Sequence, residues 1–330
     1  METLMLNPAA VEESARMPAV VEAVEAAFAA YAGGDAQMPA KSYIDLPQYD
    51  GDFRSMPAHM DAGDWDGAGL KWVNSHPDNP ADHDLPTVMG TMIYSDPETA
   101  LPLAIMDGTT LTRKRTGAAA AVATDHLAVA DASTLGLVGA GVQAHAQLAA
   151  IATVRDIETV VVADKDPDAV AEFEADVGDD YEVREGSIAD AAACDVVSTT
   201  TPVREPIVSR EAVGDHTHVN AMGADAEGKH ELADDVLLDA KLVIDDHGQC
   251  THSGEINVPY AAGTLTDDDI HAELGEVVIG EAAGRTDADG ISVFDSTGLA
   301  IQDVATAHVV YEHARDDDVG TAMELVGTDA

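Results

Sequence analysis

The sequence predicts an α/β fold: a doubly wound parallel sheet over the C-terminal part, preceded by a smaller α+β segment. Three observations predict it. From Thr134 onward short apolar runs alternate with helical stretches, the texture of parallel strands with helical crossovers. Between residues 36 and 112, short strands follow one another across Pro, Gly and Asp turns. A glycine-rich turn, Gly139-Ala140-Gly141, separates the first apolar run after 130 from an apolar helix.

The elements follow in order. Val11 to Tyr31 has Val20, Val21, Val24, Ala27, Phe28 and Tyr31 at helical spacing, and Gly33-Gly34 stops it. Strands are expected at Lys41–Leu46, Gly69–Asn74, Thr87–Ser95 and Leu101–Met106. Thr116 to Ala130 reads as an Ala-rich buried helix. The parallel sheet should comprise Thr134–Val138, Thr159–Ala163, Tyr181–Arg184, Asp195–Thr199, His218–Ala221, Lys241–Ile244 and Ile291–Phe294. A last helix runs from Gly298 to Arg315. The change of texture near residue 116 marks a domain boundary without a flexible tether.

Charge narrows the function. The 330 residues carry 62 acidic and 16 basic side chains, a formal net charge of −46. Phosphate binding needs a basic face, so a nucleic-acid partner is excluded, and anionic membrane surfaces fall on the same ground. Charge this high can keep a chain unfolded, but 46% of residues are hydrophobic and periodically placed. The acid excess runs through every segment, which favours adaptation to high salt, where screening removes mutual repulsion. An acidic binder of cations or basic partners is the other reading. Cys194 and Cys250 are the only cysteines, so no disulfide framework is implied. No apolar run approaches the ~18 residues of a membrane span, and METLMLNPAAVEE lacks the basic and apolar regions of a signal peptide. The expected location is the cytoplasm.

The glycine turn sits where a dinucleotide fingerprint belongs, after a strand and before a helix. Gly139 permits the tight turn, Gly141 lets the backbone approach a pyrophosphate with Val142 and Gln143 opening the helix, and Ala144 replaces the third glycine. Asp164, at the end of the next strand, suits the acid that accepts from the adenosine ribose; it would repel a 2′-phosphate and so favours NAD, although Lys165 adjoins it. The alternative is a glycine turn of an α/β fold that holds no nucleotide.

Basic residues cluster ahead of that turn. Residues 36–115 hold six of the 16 basic side chains but only 12 of the 62 acids. They are Lys41, Arg54, Lys71, Arg113, Lys114 and Arg115, together fit for a small anion, since the arginine fork matches two carboxylate oxygens. Pairing with surface acids is the plainer use of each. Lys71 lies in Gly-Leu-Lys-Trp-Val, where burial would lower its pKa and suit it to proton transfer. Asp225 follows a strand at the carboxyl edge where such folds hold ligands, a place for a base or water-orienting group, and equally for a helix cap or surface acid. His247-Gly-Gln-Cys250-Thr-His252 has no second ligand pair nearby, so no metal is expected.

These pieces join in ordered segments: Met38-Pro-Ala-Lys41, Asp50-Gly-Asp-Phe-Arg54-Ser-Met-Pro57, Lys71-Trp-Val-Asn-Ser-His-Pro77, Leu85-Pro-Thr-Val-Met-Gly90, Pro102-Leu-Ala-Ile-Met-Asp107 and Arg115-Thr-Gly-Ala118. Gly139-Ala-Gly-Val-Gln-Ala144, Gly223-Ala-Asp-Ala-Glu-Gly-Lys-His-Glu-Leu232, Gly254-Glu255-Ile256 and Phe294-Asp-Ser-Thr-Gly-Leu-Ala-Ile-Gln-Asp303 continue them. In these the chain resembles the ornithine cyclodeaminase/mu-crystallin family over nearly its whole length, and within it the archaeal alanine dehydrogenases.

The resemblance implies a Rossmann-type NAD domain over 116–303 and a substrate-binding, dimerising domain from 1–115 with 304–330. It implies Lys71 and Asp225 as the catalytic pair, Arg115 on substrate carboxylate and cofactor, Lys41 and Arg54 on the carboxylate, and Ser296 on the nicotinamide side. Thr87, Thr199, Thr201, Asn220 and Met222 complete the expected cofactor contacts. Arg54 stands where the resembled cyclodeaminases carry a glutamate, and a cation there would repel the distal ammonium of ornithine. The implied activity is therefore NAD-dependent deamination of L-alanine to pyruvate and ammonia and its reverse, by a homodimer. Ornithine cyclodeamination, cyclic ketimine reduction and non-catalytic NAD(P)H binding are the alternatives.

Overall fold

The computed structural model describes residues 2–327, which fall into two compact units, 2–115 with 299–327 and 116–298. The second boundary lies at 298/299 rather than 303/304, because helix Ala300–Asp316 belongs as one body to the first unit.

The first unit is built on one sheet. Its strands are β1 (Thr3–Leu6), β2 (Ala36–Gln37), β3 (Ser42–Leu46), β4 (Gly51–Asp61), β5 (Asp66–Ser75), β6 (Val88–Ser95), β7 (Pro102–Asp107) and a short last strand, Thr321–Met323. The order is Thr321–Met323, β1, β7, β6, β5, β4, β2, with β3 also on β4. Strand β4 is the longest, and it carries Pro57 at its middle. Proline is tolerated there because β3 pairs with 51–55 and β2 with 59–60. The gap at 56–58 leaves no ladder bond on that side for the missing N–H to break. Met56, Ala58 and Met60 alternate into the core, where helices Met17–Gly33 and Ala300–Asp316 pack on the sheet.

The expected helix Val11–Tyr31 is in fact two, Pro8–Ser14 and Met17–Gly33. Pro18 has no N–H to give the Ser14 carbonyl, so a continuous helix fails at that point. The helix expected at Thr116–Ala130 spans Gly108–Leu127. Its start is fixed by Asp107, whose carboxylate accepts the Thr110 N–H at 2.7 Å, as a helix cap does. This places Arg113, Lys114 and Arg115 on a helix rather than in a connection.

The second unit is the doubly wound sheet. Its strands are β8 (Thr134–Val138), β9 (Thr159–Ala163), β10 (Glu182–Glu185), β11 (Val196–Thr199), β12 (His218–Ala221), β13 (Lys241–Ile244), β14 (Ile270–Glu273) and β15 (Ser292–Asp295). They run β10-β9-β8-β11-β12-β15-β13-β14, every pair parallel. Apolar layers cover both faces, which is why the inner strands read as short, nearly unbroken Val/Leu/Ile runs. Strand β14 escaped the reading because Ile-His-Ala-Glu sits at the sheet edge and only half of it is apolar.

Candidate functional site

In the first unit the site is a buried charge cluster around Lys71. Alternation along β5 turns Lys71 inward and Trp72 outward. The Lys71 ammonium is 1% exposed and donates to Asp303 Oδ1 at 2.7 Å and Thr112 Oγ1 at 3.2 Å. Asp303 comes from helix Ala300–Asp316 and is fully buried. Arg115 Nε stands 3.4 Å from the same Asp303 oxygen, and Arg115 Nη1 donates to Gln302 Oε1 at 3.3 Å. Burial drives the Lys71 pKa down from 10.5 to about 7; Asp303 opposes that, while Arg115 and Lys41 add to it. A lysine in this state exchanges a proton near neutrality, which an exposed lysine does not.

Arg54 is on the same sheet face. It is opposite Val73, two positions from the Met56–Lys71 pair. Its guanidinium bonds the Asp52 carboxylate, with Nη2 at 2.9 Å and Nε at 3.1 Å, and its carbon lies 5.7 Å from the Tyr43 ring centroid. Lys41 is half-buried just before β3. Thr87 precedes β6, and its carbonyl accepts from the His76 N–H at 2.8 Å.

In the second unit the strand–turn–helix of the fingerprint is present. Gly139 has φ +105°, a conformation that favours glycine, and a Cβ there would lie 2.8 Å from Thr200 Oγ1. A Cβ on Gly141 would meet nothing within 4 Å, so the turn is open above the start of helix Val142–Ile151. Val142 is 66% exposed at that start, with Gln143 beside it. Asp164 braces the turn: its carboxylate accepts from Ala140 N at 2.7 Å and Asp166 N at 2.9 Å.

The loops at the carboxyl ends of β11, β12 and β15 hold the other expected residues, and several spend their side chains internally. Thr199 donates to Glu231 Oε2 at 2.6 Å. The Thr201 hydroxyl and N–H both meet Glu231 Oε1 at 2.7 Å. Asn220 gives its carboxamide to Thr124 Oγ1 at 3.0 Å and faces His218 Nε2 at 3.1 Å, inside the unit. Burial drives the His218 pKa down to about 3, so the ring is neutral. The Met222 N–H donates to the Thr199 carbonyl at 3.0 Å. Ser296 donates to Asp245 at 3.1 Å. Asp225 lies in the loop 223–231, where Lys229 Nζ donates to it at 2.6 Å.

The sequence reading missed the acids behind these loops. Glu231, Glu255, Asp295 and Asp245 are all at most 1% exposed. Asp245 receives the Thr297 and Gly298 N–H groups at 2.7 and 2.9 Å, and Asp295 those of Glu255 and Ile256 at 2.8 and 3.1 Å. Burial raises the Glu231 and Glu255 pKa values and takes Asp295 to about 7. The His/Cys run takes separate partners: His247 Nε2 is 2.9 Å from Asp267, and Cys250 donates to Asp245.

The model of the ornithine cyclodeaminase/mu-crystallin family matches residues 1–318. The chain belongs to that family. The alanine dehydrogenase of Archaeoglobus fulgidus is 47% identical over 328 residues, 98% of this chain and 99% of that one. A solved archaeal alanine dehydrogenase dimer with bound NAD superposes with a TM-score of 0.93 at 46% identity, covering 99% of this chain and all of that one. A Thermococcus litoralis Delta(1)-pyrroline-2-carboxylate reductase in complex with NADH and L-proline follows at 0.90 and 34%, covering 97% and 99%. Two activities thus occur on one family scaffold, and the side chains of this chain must decide between them.

Proposed function

We propose that the protein is an NAD-dependent alanine dehydrogenase, interconverting L-alanine with pyruvate and ammonia. The observation that carries the reading is Lys71, fully buried against Asp303 with a pKa near 7 and with Arg115 and Lys41 close enough to depress it. This is a proton-transfer group set among carboxylate-binding cations. The likeness to alanine dehydrogenases over nearly the full chain supports the choice of substrate.

The open turn at Gly139–Gly141 fits a dinucleotide pyrophosphate at a helix N-terminus, and the acid Asp164 beside it favours NAD over its 2′-phosphate form. Bound NAD supplies the acceptor for the Cα hydride. Arg115 grips the substrate carboxylate by its fork, with Arg54 and Lys41 adding charge. Neutral Lys71 takes a proton as water adds to the imine carbon, then returns it as ammonia leaves. Asp225 is the second acid–base group of this reading.

The reading includes a homodimer. The sheet face opposite Lys71 carries an apolar row across five strands, Pro57, Leu70, Ile93, Ile105 and Met5, by register. Trp72, 39% exposed and stacked on Phe53, and Ile44, 51% exposed, extend it. A face this apolar suits a second copy of itself. Leu70→Asp should yield monomers by light scattering; a dimer unchanged by that charge would refute this face.

The test of function is incubation with NAD and either L-alanine or L-ornithine in molar salt, following NADH absorbance and ammonia. NADH with alanine alone is expected. Ammonia from ornithine without net NADH would replace this reading with cyclodeamination.

A further inference from the structure

We propose that Glu231 is a positioning residue that fixes the loop after β11 against the base of the loop carrying Asp225, and so shapes the cofactor site. The proposal rests on the reading that the dinucleotide lies at the carboxyl end of the second sheet.

Glu231 is fully buried and its carboxylate accepts four hydrogen bonds from two loops. Oε1 takes the Thr201 N–H and hydroxyl at 2.7 Å each. Oε2 takes the Thr199 hydroxyl at 2.6 Å and the Gly223 N–H at 3.1 Å. Gly223 sits so close that a Cβ would fall 2.4 Å from both Glu231 Oε2 and the Thr201 carbonyl oxygen. Glu231 is anchored in turn, since its N–H and that of Leu232 donate to Glu255 Oε1 at 2.8 and 2.6 Å. The far end of the Asp225 loop is pinned by Asn257, which accepts from Gly228 N at 2.9 Å and donates to the Lys229 carbonyl at 2.8 Å.

Burying an acid with only neutral donors around it is costly, and an apolar side chain would fill the same space without that cost. What the apolar residue lacks is the ability to receive donors from both loops at once. The two loops are those on which Thr199, Thr201, Met222 and Asp225 stand. Glutamine cannot substitute, because one of its two ends becomes a donor facing a backbone N–H.

The experiment is NAD binding by calorimetry to the full-length protein in molar salt, with steady-state kinetics alongside. Glu231→Gln should raise the Kd and the KM for NAD at least tenfold while the KM for alanine stays within twofold. Thr199→Val should raise the Kd alone but add nothing in the Glu231→Gln background. An NAD affinity within twofold of wild type, equal rises in both KM values, or full additivity of the two variants would each overturn the proposal. Should Glu231→Gln fail to fold, Thr199→Val decides, and unchanged affinity in it overturns the proposal. Gly141→Asp separates the underlying reading, because an acid in the open turn should abolish NAD binding. If that variant binds NAD normally, the cofactor reading falls; if only Glu231→Gln is silent, the proposal alone falls.

Discussion

Replacing Asp303 by asparagine removes one charge and almost no volume, which isolates the electrostatics of the Lys71 cluster. Asp303 Oδ1 lies 2.7 Å from Lys71 Nζ and 3.4 Å from Arg115 Nε, with both partners of the lysine pair at most 1% exposed. With charge centres about 4 Å apart, one such interaction is worth about 4 kcal/mol at an effective dielectric of about 20. Its loss would lower the lysine pKa by at most ~3 pH units, less as Arg115 and Thr112 readjust. The direction is fixed: Asp303 raises the Lys71 pKa, so without it the value falls below about 7. In the proposed mechanism alanine oxidation requires neutral Lys71 as base, so the acid limb of kcat/KM should move down by about one to three pH units. The plateau should fall as well, by up to ~100-fold, because the Lys71 amine loses the carboxylate acceptor that aims it. Below that lowered pKa, protonated Lys71 would face Arg115 without their shared carboxylate, and urea titrations there should show a loss of about 3–5 kcal/mol of stability. The assay is the pH profile of NADH formation from alanine with saturating NAD. An acid limb unmoved within about 0.3 pH units would refute the reasoning, since either Lys71 is not the titrating base or Asp303 does not hold its proton.

The remaining predictions concern the second unit and the surface. Asp295 has its folded pKa raised from 3.8 to about 7, so its contribution is present below pH ~4 and lost as pH rises to ~7. Asp295→Asn should flatten that decline in chemical unfolding across the same window. His218 acts oppositely, with a folded value of about 3 against 6.5, so its contribution grows from pH ~3 to ~6.5. His218→Asn should therefore remove that rise relative to wild type in the same titrations, and a pH dependence unchanged between pH ~3 and ~6.5 would contradict the His218 assignment. Finally, with a net charge of −46, lowering salt from molar to about 0.1 M lengthens the screening distance to ~10 Å. The melting temperature should then fall steeply, and an unchanged value would contradict salt adaptation.

What the sequence conveys about the fold depends on how many layers cover each strand. In the second unit, strands such as β8 and β11 are buried on both faces, so their apolar runs stand out against helices of different period. In the first unit the sheet has one packed face and one half-exposed face, and β4 mixes Arg54, Ser55 and Pro57 with Met56, Ala58 and Met60. Its strand character rests on a gap in its neighbours' register, which no local pattern records. The start of helix Gly108–Leu127 was similarly hidden, because a cap such as Asp107 is recognisable only once the preceding strand is known to end at it.

The candidate site divides along a different line, that of charge scarcity. With 16 basic side chains among 330, each Lys or Arg is conspicuous, and Lys71 and Arg115 can be singled out by residue type and apolar context. Asp303, Glu231, Glu255, Asp245 and Asp295 have the opposite problem, being five of 62 acids whose letters do not distinguish them from solvated surface groups. Yet burial reverses their cost: a surface carboxylate is hydrated and cheap, whereas each of these needs several donors or a cation to remain in place. Selection for an acidic surface acts on exposed positions, while these acids are held by what surrounds them. Neutralising surface acids should therefore alter salt dependence and leave turnover intact, whereas a single amide at Asp303 or Glu231 should alter turnover or cofactor affinity while hardly changing the net charge.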